Sequence, residues 1–176
     1  MAQAGTGVAA TAPAVACIEN DDFVVISREG PDVGSDIIAR KKPDPHTKAS
    51  CVFQVRPSDY KIAKAGEAKY VKALQGNMLV LDQGTGPSPR GLSVVDLLKR
   101  KEVWSGEYYN EEEDAKTGPQ GVTFWRYLGP GKEAQCEDYK KIVAQSFTPL
   151  MVIKGTLSFP GLQFKPQGAA KCVVGQ

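Results

Sequence analysis

From Phe23 onwards, apolar residues arrive in short runs rather than at helical spacing: "FVVISR", "DIIARKK", "CVFQV", "KYVKAL", "MLVLD", "LSVVDL", "EVWSGEYY", "VTFWRYL", "LMVIKGTLSF", "LQFKP" and "KCVVGQ". Valine, isoleucine, phenylalanine and tyrosine dominate them, and Gly, Pro, Asp or Asn stands in nearly every gap, the pattern of β-strands separated by turns. Turns recur about every eight to fifteen residues, which suits an antiparallel β-sandwich or a partly open β-barrel; a parallel sheet would need a long crossover between paired strands. Two windows have helical character. In Asp59–Leu74 the periodicity of Ile62, Tyr70 and Leu74 is loose and a helix is not expected, whereas "EAQCEDYKKIVAQ", Glu133–Gln145, carries helix formers with acids near its start and predicts one short helix. The stretch Met78–Tyr108 reads as three successive strands, like one propeller blade, but no such period recurs along the chain.

The first sixteen residues break this rhythm. "MAQAGTGVAATAPAVA" carries no charge and no apolar period, so it cannot repay its ordering entropy. The expected organisation is therefore a disordered segment over 1–16 and a single β domain over 17–176. The segment lacks the basic start and continuous apolar stretch of a signal peptide, yet its composition resembles the region just past the cleavage site of an exported bacterial protein. Met1 then reads as a start placed on a mature sequence; an ordinary N-terminus of a cytosolic protein is the alternative.

Cysteine count favours export. Cys17, Cys51, Cys136 and Cys172 form an even set with no C-x-x-C, and His46 is the sole histidine, so a zinc site would have to gather widely separated ligands. Two disulfides fit better and imply an oxidising compartment, periplasmic or secreted. Of the three pairings, Cys17 with Cys51 and Cys136 with Cys172 closes the short loops, each of about 35 residues and each contributing about 3 to 4 kcal/mol in the chain-entropy account. Four buried free thiols are the alternative.

Charge narrows the partners. The chain has 176 residues, with 22 basic and 20 acidic side chains and a net charge of +2, too balanced for its bulk field to attract nucleic acid. No apolar run approaches the roughly 20 residues of a membrane span, so membrane insertion is not expected.

"LDQGTGPSPRGLSVVDL", Leu81–Leu97, invites comparison with phosphate-binding loops. Pro89 stands where a dinucleotide fingerprint needs its third glycine, and Leu92 where a P-loop needs lysine. Pro87 and Pro89 also lack the amide donors of a phosphate nest. The stretch is a turn in which Gly84 and Gly86 permit positive φ. Arg90 is held near Asp82, either to meet an anion at the sheet rim or, more economically, to bond Asp82 and fix the loop.

Glu107, Glu111, Glu112, Glu113 and Asp114 crowd "SGEYYNEEEDAKTG". Acid pairs that hydrolyse need a fixed separation and one raised pKa, and consecutive acids on a Gly-bounded loop read instead as a solvated hairpin tip. They match no calcium loop. His46 lies in the polar "KKPDPHTKAS" and no G-x-S-x-G exists, so nucleophilic catalysis is not expected, nor is any cofactor or metal ion. Arg40, Lys41, Lys42 and Lys48 form one basic run and Lys99, Arg100 and Lys101 another. Each reads first as edge protection, and together they form a patch suited to an acidic partner or surface polymer. Strand alternation places Phe124 and Trp125 on opposite faces, making an outward Trp125 or Tyr109 a candidate anchor.

Ser105, Gly106 and Tyr109 have the spacing S-G-x-x-Y, which resembles the short loop motif of bacterial periplasmic lysozyme inhibitors, small disulfide-bearing β-barrel proteins. That resemblance covers five residues and implies that Ser105 and Tyr109 enter a lysozyme cleft. The broader pattern "LVLDQGTGPSPRGLSVVDL" with the C-terminal "KCVVGQ" resembles an uncharacterised family of exported bacterial β domains. The expectation is a non-enzymatic binding domain whose partner is a protein or glycan of the cell envelope, with Asp82, Arg90, Ser105, Tyr109 and Trp125 as candidate contact residues. Inhibition of a hydrolase such as lysozyme is the second reading, and hydrolysis by the acidic residues, Glu107 and Asp82 included, the third.

Overall fold

The computed structural model describes residues 13–176. Of the expected disordered segment 1–16, residues 1–12 lie outside this range, and Val15 and Ala16 open the first strand. The chain is mainly β, in two antiparallel sheets with one short helix. A four-stranded sheet runs in chain order through β1 (Val15–Glu19), β2 (Phe23–Glu29), β3 (Ser35–Lys41) and β4 (Tyr60–Ala63). The larger sheet begins with a meander of β5 (Lys69–Gln75), β6 (Met78–Gln83), β7 (Arg90–Asp96) and β8 (Lys101–Tyr109). It continues through β10 (Gly121–Pro130) and β11 (Thr148–Ser158) to the edge strand β12 (Phe164–Pro166). Two further strands attach to that path: β9 (Lys116–Gly118) pairs with β10, and β13 (Lys171–Gly175) with β11.

Alternation explains how these layers stack. Leu79 and Leu81 of β6 face Phe23, Val25, Ile37 and Ala39 of the small sheet. Their neighbours Met78 and Val80 face the other way, into a second core with Leu92, Val94, Tyr108, Val122, Phe124 and Leu157. The large sheet therefore curls so that β10 and β11 cover its own meander, without closing into a barrel. Burial on both faces is why "MLVL" reads as an unbroken apolar run, and each fully buried aliphatic side chain contributes about 1.5 to 3 kcal/mol.

The small sheet is also covered twice. Val24, Ile26 and Ile38 point away from the large sheet, against Ala49 and Phe53 of the connection 42–59. "CVFQV" was expected to be a strand; it forms none. Phe53 is used as a lid side chain, with the Arg28 guanidinium 4.3 Å above its ring. The Asp59–Leu74 window holds β4 and β5 and no helix, as expected. The Glu133–Gln145 window is shorter than expected as a helix: a 3-10 turn at Glu133–Gln135 stops at Cys136, whose backbone is extended, and α1 spans Tyr139–Ala144. Cys136 is drawn inward by its bond to Cys172, which interrupts the helical path.

Both short-loop disulfides are present, Cys17–Cys51 and Cys136–Cys172, closing separations of 34 and 36 residues. They differ in surroundings, since Cys17 and Cys51 are exposed whereas Cys136 is buried. Limiting reductant is therefore expected to open Cys17–Cys51 first, read by mass mapping of alkylated thiols. Replacing both residues with serine should cost about 3 kcal/mol in urea unfolding.

Candidate functional site

The glycine-rich stretch closes on itself. Gly84 adopts φ of 121°, a backbone state that other residues rarely adopt, while Gly86 does not use positive φ. Arg90 spans the loop, bonding both carboxylate oxygens of Asp82 and donating to the carbonyls of Gly84 at 2.7 Å and Gly86 at 3.0 Å. Tyr108, buried in the second core, donates its hydroxyl to Asp82 at 2.8 Å. Burial first, and the Asp82 carboxylate second, push the Tyr108 phenol far above its usual range. The Asp82–Arg90 pair is thus the internal fastening of a turn, with its hydrogen-bonding groups turned inward. Tyr108 was not singled out from the sequence, where it reads only as a strand aromatic.

The acidic loop is fastened rather than free. Glu111 accepts the Ser88 amide at 2.9 Å, Glu112 meets Lys171, Glu113 meets Lys154 and Lys116 at 2.6 and 2.9 Å, and Asp114 meets Lys72 at 2.6 Å. The expected solvated hairpin tip is corrected accordingly: the loop stays in water, but lysines from β5, β9, β11 and β13 hold it. Lys154 and Lys116 draw the Glu113 carboxyl down to about 2, so none of the raised pKa that acid catalysis requires is present at that residue.

Phe124 and Trp125 do face opposite ways. Phe124 packs in the second core, and Trp125 pairs across the strands with Tyr109. Tyr109 is buried against Leu150, Val152 and Val173, while Trp125 is half-buried with the Lys171 ammonium 4.2 Å above its ring. Ser105 is exposed in mid-β8, opposite Ser93. Ser105 and Tyr109 therefore belong to one strand rather than to a projecting loop. A hollow of about 530 Å³ lies between α1 and β13, where Glu112, Glu137, Asp138 and Lys141 give a mixed charge lining.

The small sheet carries a different kind of surface. Arg40 donates Nε and Nη2 to the two oxygens of Asp59, both at 2.8 Å, and Nη2 also to the Gln54 carbonyl. The Asp59 side chain is fully buried and takes the Arg56 amide as well. Arg40, then the Arg56 amide, outweigh burial and hold its carboxyl below the usual 3.8. Arg100 donates to the Ser58 carbonyl at 2.8 Å, fixing the Leu97–Arg100 turn beside the same connection. The outcome is two adjoining recesses. One of about 160 Å³ is lined by Arg40, Lys41, Lys42, Lys48 and Arg56 among others, and the second, of about 140 Å³, by Lys41, Tyr60, Leu98 and Arg100. The two basic runs, distant in sequence, meet at Lys41. Arg56 was not among the expected candidates; its place beside proline in "VRPSD" gives no sign that it joins them.

No protein-family model, curated protein or solved structure matches the chain.

Two outcomes follow from this geometry. Asp59→Ala leaves Arg40 without its partner and should destabilise by about 3 kcal/mol in urea unfolding. Because the folded-state pKa of Asp59 is depressed, its contribution is complete above 3.8 and is lost as pH falls below that value; the wild-type advantage over Asp59→Ala should shrink across that range. Separately, Tyr108→Phe removes one buried hydrogen bond from Asp82 and should cost about 1 to 2 kcal/mol by the same assay.

Proposed function

We propose that this is a binding domain of an oxidising compartment, periplasmic or secreted, and that it engages a protein or glycan of the cell envelope without catalysing a reaction. Its contact face is the end of the small sheet around Lys41, where the 42–59 connection covers the outer side and the Leu97–Arg100 turn borders the side facing the large sheet. One observation carries the reading: cations from two separate runs converge on neighbouring recesses around Lys41. Like charges gathered at one place cost free energy through mutual repulsion, a cost that an anionic partner removes on binding. Two disulfides suit the compartment. Elsewhere the conspicuous charges neutralise each other, Asp82 with Arg90, and Glu112, Glu113 and Asp114 with lysines.

The test is capture from periplasmic extract, supplemented with lysozyme, on three immobilised proteins: wild type, a Lys41→Glu/Lys48→Glu variant, and Trp125→Ala. The expected result is a bound component retained by wild type and Trp125→Ala and lost from the charge-reversed variant. Retention that depends on Trp125 instead, lysozyme included, would move the contact face to the β8–β10 strands and overturn this assignment.

A further inference from the structure

Granting that binding face, its chemistry narrows the partner. The five cations lining the first recess are accounted for differently. Arg40 is consumed by Asp59, and Lys42 by Glu19 at 3.5 Å with the Asn20 carbonyl at 3.1 Å. Lys41, Lys48 and Arg56 form no ion pair among the described residues. The one acid in the lining, Asp44, already accepts the His46 amide at 2.9 Å and the Thr47 hydroxyl at 3.0 Å.

Exposed apolar groups lie on the same two segments, with Leu98 lining the second recess beside Lys41. Val52, Val55 and Leu98 are 58%, 46% and 64% exposed, and the Arg100–Ser58 hydrogen bond fastens the turn carrying Leu98 against the connection carrying the two valines. The first recess also has Val24, Pro43 and Ala49 in its lining and no aromatic ring; in the second Phe23 is buried and Tyr60 half-buried, so the two together present no row of exposed rings on which successive bases would stack. Free cations among exposed aliphatic side chains complement a ligand that alternates negative charge with apolar groups. A polyphosphate or a uniformly anionic polysaccharide has nothing to place against Val52, Val55 and Leu98.

From this we infer that the face around Lys41 docks an acidic polypeptide segment, extended across both recesses, whose carboxylates meet Lys41, Lys48 and Arg56 and whose aliphatic side chains cover Val55 and Leu98. Residues 1–16 carry no acid, so they do not supply it, and the occupant is a segment of a partner protein.

The inference is tested by fluorescence anisotropy with three labelled probes: a peptide alternating Glu with Leu, oligoglutamate of equal length, and inorganic polyphosphate. The disulfide-intact protein should bind the Glu/Leu peptide most tightly and lose affinity as salt rises. Each of Lys41→Glu, Lys48→Glu and Arg56→Glu should weaken it about tenfold, and Leu98→Ser should weaken the Glu/Leu peptide while leaving oligoglutamate unchanged. Lys165→Glu, on the edge strand β12, should change nothing, and thermal unfolding of every variant confirms that the fold is retained. Polyphosphate bound as tightly as the Glu/Leu peptide, and lost in the same variants, would overturn the polypeptide assignment while leaving the binding face in place. Equal binding by wild type and all three charge-reversed proteins would overturn both.

Discussion

The ion pair between Arg40 and Asp59 decides what the small sheet presents to its surroundings. Asp59 is fully buried, so its charge persists only because a guanidinium and the Arg56 amide surround it. The same guanidinium reaches the Gln54 carbonyl, which ties a connection without strand pairing to the end of β3. Cys17–Cys51 fixes that connection at another point, to β1. Phe53, between these two fastenings, and Ala49, just before the first, settle on Val24, Ile26 and Ile38, and the outward-facing residues of the connection become a surface with a defined shape. Lys41, Lys48 and Arg56 are held near one another by this arrangement, Arg56 through its backbone amide alone, and none of their side chains takes part in it.

Charge is handled in opposite ways on the two sides of the molecule. Around the β8–β10 strands every acid of the 111–114 loop meets a donor, and Arg90 turns its hydrogen-bonding groups back onto Asp82 and its own loop. Such pairs contribute little individually when exposed, but together they fix a long hairpin loop to four different strands. In the lining of the two recesses around Lys41 the cations outnumber the acids that could neutralise them. Shape and charge agree there, and the functional reading rests on that difference.

Much of the fold was legible in the sequence because β-strands announce themselves through composition and punctuation. Nearly every apolar run became a strand, and the short-loop disulfide pairing is the one present. The misreadings have a common cause. "CVFQV" has strand propensity, yet its Phe53 serves a core from a backbone that pairs with nothing, and Cys136 breaks a helical pattern because its partner lies on β13. Local propensity does not report tertiary use of a side chain. The site was legible in part: both basic runs stood out, as did the Asp82–Arg90 pair, whose internal bond was the simpler of its two expected uses. That the runs meet at Lys41 depends on the turn before β8 lying beside the connection into β4, and Arg56 joins them only through the route taken by that connection. Neither relation has a signature in the order of residues.

Hydrogen–deuterium exchange on wild type and Asp59→Asn tests most directly the claim that this one pair shapes the basic face. Asparagine keeps the size of the side chain and removes its charge. The account expects peptides covering 43–58 to lose protection in the variant while those from β6, β7 and β8 keep theirs. Unchanged protection over 43–58, or a loss spread evenly across both sheets, would contradict it.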